Sequence, residues 1–133
     1  MKVKLGMSPI SWSNDDLPEL GGNTSLEKCL IETRKAGYTG TETGGKFPKN
    51  AKELESVLTS NSLKLVSGWY SGTLINNNIE DEILRIKPQL ELFKSTGASV
   101  IVYGETYRTV QNKITIPLNR RPKLDQFDIK DYG

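Results

Sequence analysis

Strand-like runs and helical stripes alternate along this 133-residue chain, and that alternation leaves few architectures open. Val3 to Met7 is a short apolar run stopped by Ser8-Pro9. Leu26, Cys29, Leu30 and Thr33 then share a face at helical spacing, and Gly37 supplies the stop. Tyr38 to Thr43 is rich in aromatic and β-branched residues and reads as a second strand. Ala51, Leu54, Val57 and Leu58 form the next helical stripe, and Leu63 to Trp69 a third strand. Ile79, Ile83, Ile86, Leu90 and Phe93 recur at three- and four-residue steps through a long helix, in which Pro88 predicts a kink or an irregular turn. Gly97 ends that helix, and Ala98 to Tyr103 is a fourth strand, apolar on both faces as a strand covered by helices should be. Two caps support the pattern: Thr24 with Glu27 and Asn50 with Glu53 both have the spacing at which side chains satisfy orphan helix amides.

The order βαβαβαβ implies right-handed crossovers and a parallel α/β sheet. No glycine fingerprint for a dinucleotide follows the first strand, so the barrel gains over the open nucleotide-binding sheet. After Glu105 runs a long loop, Thr106 to Lys123, of a length that is usually functional. Leu124 to Gly133 then reads as the start of a fourth helix, with Asp125 as its cap. A complete (β/α)8 barrel needs roughly 250 residues. The expectation is therefore one partial domain, residues 1–133, holding about four parallel strands, three helices and the beginning of a fourth, as in the N-terminal half of a TIM barrel.

Composition narrows the function classes. The formal charge of +2 and scattered basic residues argue against nucleic acid, and the one basic concentration, Arg120-Arg121 with Lys123, reads as a solvated loop. No apolar run reaches membrane-spanning length and the amino terminus has no signal core, so a soluble cytoplasmic protein is expected. The single cysteine, Cys29, sits in a helical pattern and reads as a buried, inert thiol. The chain contains no histidine, which excludes a Cys-His pair within it.

In parallel α/β proteins the ligand groups are carried by loops at the carboxyl ends of strands. Two such tips carry carboxylates here: Glu42, followed by Gly44-Gly45-Lys46-Phe47-Pro48, and Glu105, following Tyr103-Gly104. From two different strands they could converge over a barrel mouth as a catalytic pair or as contacts to substrate hydroxyls; the competing reading is loop-capping or ion-paired carboxylates. Lys46 could contact a substrate oxygen or be a solvated loop lysine. Asn14 and Asp15, beside Asp16, supply polar groups next to Trp12, with an Asx-turn as the plain alternative. Trp12, Trp69 and Tyr70 could wall a sugar-like ring or simply close the core. Tyr107 and Arg108 could reach the site from the long loop.

The stretches Ser8-Pro9-Ile10-Ser11-Trp12-Ser13-Asn14-Asp15-Asp16-Leu17-Pro18-Glu19-Leu20-Gly21-Gly22, Gly44-Gly45-Lys46-Phe47-Pro48, Ser67-Gly68-Trp69-Tyr70-Ser71-Gly72 and Tyr103-Gly104-Glu105 together resemble the myo-inosose-2 dehydratase (2-keto-myo-inositol dehydratase) family of inositol catabolism. That resemblance implies a xylose-isomerase-like barrel and a lyase that removes water from inosose, a polyhydroxylated cyclic ketone. It implies a divalent metal, cobalt or manganese, in full-length members, held by carboxylates and a histidine on later strands, so that no metal ligand is expected in this chain alone. The threonines flanking Glu42 depart from the apolar neighbours expected there. A related sugar isomerase or epimerase on the same barrel is the alternative activity. From a different class, a non-catalytic half-barrel could self-associate through the open edges of its first and fourth strands into a homo-oligomer.

Overall fold

The computed structural model describes residues 3–132; Met1, Lys2 and Gly133, and with them the outer ends of the amino-terminal and last-helix expectations, lie outside the described residues. Four strands form one parallel sheet in sequential order: β1 (Gly6–Met7), β2 (Gly40–Thr43), β3 (Lys64–Gly72) and β4 (Val102–Glu105). The helices between them are α1 (Leu26–Lys35), α2 (Ala51–Ser60) and α3 (Ile79–Ser95), and α4 (Gln126–Tyr132) follows β4. Sequential parallel order with a helix in every crossover is half of a (β/α)8 barrel.

The core lies between the sheet and the helices that cover its outer side. Leu30 from α1, Leu54 and Leu58 from α2, Leu65 from β3, Phe93 from α3, and the loop residues Phe47 and Leu63 make one buried cluster. Leu54 and Leu58 were readable as a stripe because they fall one helical turn apart. The opposite, lumen-side face is set by close backbone approach: a Cβ on Gly6 would meet the Val66 side chain at 2.8 Å, and Gly40 faces the same side chain. β3 carries a bulge at Val66, which is left without a partner between the Thr41–Leu65 and Glu42–Ser67 pairs, and this re-aims the β3 side chains beyond it.

Several local expectations are corrected. The cap of α1 is Ser25, whose hydroxyl accepts from Lys28 N, one residue after the expected Thr24. Serine one position later completes the same geometry, so the local spacing could not separate the two. Asn50 caps α2 as expected, accepting from Lys52 N and Glu53 N, and Asp125 accepts from Phe127 N and Asp128 N at the start of α4. α3 continues through Pro88 as one helix. The strand expected from Ala98 forms only from Val102, and Val100 and Val102 are exposed instead of covered. The expected α3 stripe buries only its last member, Phe93, while Ile79, Ile83 and Leu90 face outward. In their place α3 turns Glu82 inward, 5% exposed.

The loop after β4 is not structureless. Thr109 N bonds Thr106 O, Lys113 N bonds Val110 O, and a 3-10 turn spans Leu118–Arg120. Its first turn is fastened to α4 by Arg108, which donates to Asp128 at 2.6 Å and lies 5.1 Å from the Tyr107 ring centroid. Arg108 has φ +61, a left-handed conformation unusual for a side-chain-bearing residue, which the ion pair helps to hold. Backbone donation from Asp125, and then the Arg108 guanidinium, hold the Asp128 carboxyl below the usual range. A carboxylate lowered on folding contributes stability that is present above its unfolded pKa and lost as pH falls through the folded one. Thermal melts taken between about pH 5 and pH 2.5 should therefore show Asp128→Asn losing its disadvantage as the medium acidifies. A gap from the parent that stays constant across that range would remove the ion pair from the acid response.

Candidate functional site

Alternation along β2 and β3 decides which residues face the lumen. Thr41 is 1% exposed against the helix layer, and Thr43 shares with Phe93 the space a Cβ on Gly68 would need. Glu42 lies between them and points the other way, into the lumen. There its Oε1 accepts a 2.6 Å hydrogen bond from Ser67 Oγ, across the register pair that joins the two residues. The flanking threonines are thus accounted for: they pack on the helix side and do not disturb the carboxylate's direction.

Farther up β3, Trp69 also faces the lumen, 53% exposed, with its ring over the Gly104 Cα. Its indole Nε1 donates to Ser71 Oγ at 2.9 Å, on the same face. Around this aromatic plate is a cleft of about 230 Å³ lined by Asp16, Trp69, Ser71, Thr106, Thr109, Gln111 and Asn112. The cleft combines one apolar plate with hydroxyl, amide and carboxylate groups, the mixture that recognises a polyhydroxylated ring.

Glu105 does not join Glu42. Tyr103 sits on the helix side, donating to Glu82 of α3, and Gly104 faces the lumen under Trp69, so Glu105 returns to the helix side. Its oxygens accept from Ile75 N at 3.3 Å and Tyr107 N at 2.7 Å. The register widens the separation: Glu42 pairs with Ser67 and Glu105 with Gly72, five residues apart on β3. That is roughly 16 Å along the strand. The expected convergence of two carboxylates is therefore replaced by one lumen carboxylate and one that ties two loops together.

The remaining candidates divide the same way. Lys46 Nζ donates to Gly22 O at 2.7 Å, to Thr24 O and to Gly21 O, so the ammonium is engaged by the β1–α1 loop. Asp15 accepts from Gly45 N at 2.6 Å, a second tie between the same loops. Asn14 accepts from Asp16 N and Leu17 N, an Asx-turn. Trp12 donates its indole N–H to Glu32 of α1. Tyr70 lies on the helix side, its ring centroid 5.7 Å from that of Tyr103. Burial, and then the charge of Glu82, push the Tyr70 hydroxyl up, and burial with the Glu82 hydrogen bond does the same to Tyr103. Tyr107 and Arg108 serve the α4 latch. Cys29 is buried, and burial raises its thiol.

The residues not singled out from the sequence are Ser67, Ser71, Thr106, Thr109, Gln111 and Asn112. Ser67 had a signal, since it precedes Trp69 by two along a strand and so shares its face. The loop residues had only the length of their loop as a signal, because a loop has no period to single out positions. Among the described residues no three of His, Cys, Asp and Glu gather where they could hold a metal ion. Nor is any helix among them long and apolar enough to cross a membrane.

No protein-family model matches the chain. Over 133 residues, 100% of this chain and 41% of the relative, it is 43% identical to the rhizopine catabolism protein MocC of Rhizobium meliloti. Over 117 residues, 88% of this chain and 39% of the relative, it is 38% identical to an inosose dehydratase of Geobacillus thermodenitrificans. The chain matches one part of an inosose dehydratase. An inosose dehydratase of Bacillus cereus (strain AH820) gives the same result, at 36% identity over 116 residues. The chain spans about two fifths of the length of these curated relatives, 39% to 41%. Among solved structures it resembles the 3-keto-D-glucoside 4-epimerase YcjR of E. coli, with a TM-score of 0.55 and 20% identity over 98% of this chain and 48% of that one. At that identity the likeness carries the fold alone.

Proposed function

We propose that this chain forms one wall of an inosose dehydratase cavity, which eliminates water from 2-keto-myo-inositol. The observation that carries the reading is the match to MocC and inosose dehydratases along 87% to 100% of this chain. The geometry supports it at a lower level. Dehydration of such a ketone takes a proton from the carbon beside the carbonyl and expels a neighbouring hydroxyl as water, so it needs a base, an acid for the leaving oxygen and stabilisation of the enolate. Glu42 is the lumen carboxylate positioned for proton transfer or for gripping a ring hydroxyl, and the Ser67 hydroxyl fixes its orientation. Trp69 offers a flat apolar face to the ring, and Asp16, Ser71 and Thr109 offer partners to its hydroxyls.

Carried into a full-length inosose dehydratase at the aligned position, Glu42→Gln is expected to lower turnover by about 10²–10⁴-fold. Steady-state kinetics check this, and an unchanged turnover with an unchanged KM would sink the role. The chain by itself is expected to release no water from 2-keto-myo-inositol, since one lumen carboxylate does not supply both acid and base. Measurable dehydration would overturn that division of labour. The alternative, an isomerase or epimerase, draws support from the YcjR-like fold alone.

A further inference from the structure

Strand β3 changes its facing at Val66. Before it, Leu65 is buried in the core cluster on the helix side. Val66 itself faces the lumen, where it fills the space that a Cβ on Gly6 or Gly40 would need. In a regular strand the next side chain returns to the helix side. That rule would turn Ser67 and Trp69 toward the helices and set the Val66 methyls beside Glu42. The pairing is different: Thr41 aligns with Leu65 and Glu42 with Ser67, so Val66 is the extra residue of a bulge. Ser67 follows it on the lumen face, and alternation restarts from there. Gly68 then faces Thr43 and Phe93, Trp69 faces the lumen over Gly104, and Tyr70 lies on the helix side with Tyr103. One extra residue thus decides two things: a hydroxyl stands beside Glu42, and the indole shares the carboxylate's face.

We propose that Ser67, put in place by the Val66 bulge, is a positioning residue that serves the reaction wholly through Glu42. This rests on the reading of Glu42 as the lumen carboxylate of the dehydration. Ser67 is 7% exposed, and its 2.6 Å bond to Glu42 Oε1 has the length of a strong hydroxyl–carboxylate hydrogen bond. A glutamate has three side-chain torsions, and this bond fixes the outermost one. It holds the carboxylate at the level of the Glu42–Ser67 pair, two residues or roughly 7 Å along β3 from the Trp69 plate. A ring stacked on the indole is then met by a carboxylate of set height and direction. The hydroxyl is not needed to join the strands, because the backbone ladder already pairs β2 with β3 on both sides of the bulge. Alanine in its place keeps the ladder and leaves the Glu42 carboxylate free to turn.

A double-mutant cycle tests the role, in a full-length inosose dehydratase with glutamate and serine at the aligned positions. Ser67→Ala should lower kcat by up to about 100-fold with little change in KM, and an unchanged circular dichroism spectrum shows that the fold survives. Placed on Glu42→Gln, the same substitution should cost nothing further, since the group it aims is already gone. A merely structural serine would give its full loss again in that background. Ser67→Thr keeps the hydroxyl and should recover most of the loss. Each contrary result is informative. An unchanged kcat in Ser67→Ala, beside a lost one in Glu42→Gln, overturns the positioning role and leaves the reading of Glu42 standing. A full Ser67→Ala loss on top of Glu42→Gln, or a folded threonine variant as slow as the alanine one, also overturns it. An unchanged kcat in Glu42→Gln removes both.

Discussion

Glu82→Ala is expected to cost about 1–3 kcal/mol of folding stability, the range for leaving buried hydrogen-bonding groups without their partner. Glu82 is 5% exposed on the inner face of α3, where a helix of this pattern would ordinarily place an isoleucine or leucine. Its carboxylate accepts from Thr73 N at 3.3 Å, from the Tyr103 hydroxyl at 3.1 Å and from Arg85 Nη1 at 3.2 Å. Thr73 begins the loop after β3, Tyr103 lies on β4, and Arg85 is one turn along α3. One side chain therefore joins three elements, and its loss leaves a backbone amide and a guanidinium without this acceptor in a partly buried setting. Glu82→Gln keeps an acceptor of the same shape and should lose markedly less. Urea unfolding of both variants, with a Tyr103→Phe double-mutant cycle, reads the coupling directly. Equal losses for Ala and Gln would show that the charge, not the hydrogen-bond geometry, holds the three elements. A loss under about 1 kcal/mol for Ala would remove Glu82 from the list of structural determinants.

Leu54→Ala should cost about 2–5 kcal/mol. Leu54 has 0% exposure at the centre of α2 and is packed in the cluster that includes Leu30, Leu58, Leu65 and Phe93. Those neighbours come from three helices and a strand, which cannot all move inward to fill the space. The cavity contribution should therefore add to the transfer contribution. Denaturant midpoints at constant slope measure it. Leu58→Ala, at 3% exposure nearer the end of α2, should cost less, because a helix end collapses more readily. A reversed order would show that the core is centred toward the carboxyl end of α2.

The fold was legible wherever a local signal and the global packing agreed. Leu54 and Leu58 lie at helical spacing and are buried; Asn50 and Asp125 have capping geometry and cap. The α3 stripe misled because periodicity reports that a helix has two faces and not which one is covered. Here the inward side takes Glu82, while Ile79, Ile83 and Leu90 look outward beside the open β4 edge. The site was half legible. Glu42 and Trp69 were legible as strand-tip side chains, and both face the lumen. Glu105 was misjudged because facing depends on parity within a strand whose first residue the sequence did not fix: β4 begins at Val102, and that start sends Glu105 to the helix side. Lys46, Asp15 and Trp12 looked like ligand groups because loop-to-loop ties and ligand contacts draw on the same polar and aromatic side chains.

The ties from Lys46 to the carbonyls of Gly21, Gly22 and Thr24, with that from Gly45 N to Asp15, make the first two strand-end loops a single mechanical body. The lip of the cleft near Asp16 is thus anchored by an ammonium turned onto three loop carbonyls. A change at Gly21, which holds φ +81 against the Trp12 carbonyl, would be transmitted through Lys46 to the tip of β2 and so to the aim of Glu42. A substitution a full loop away from the carboxylate would then change its direction through rigidity instead of contact.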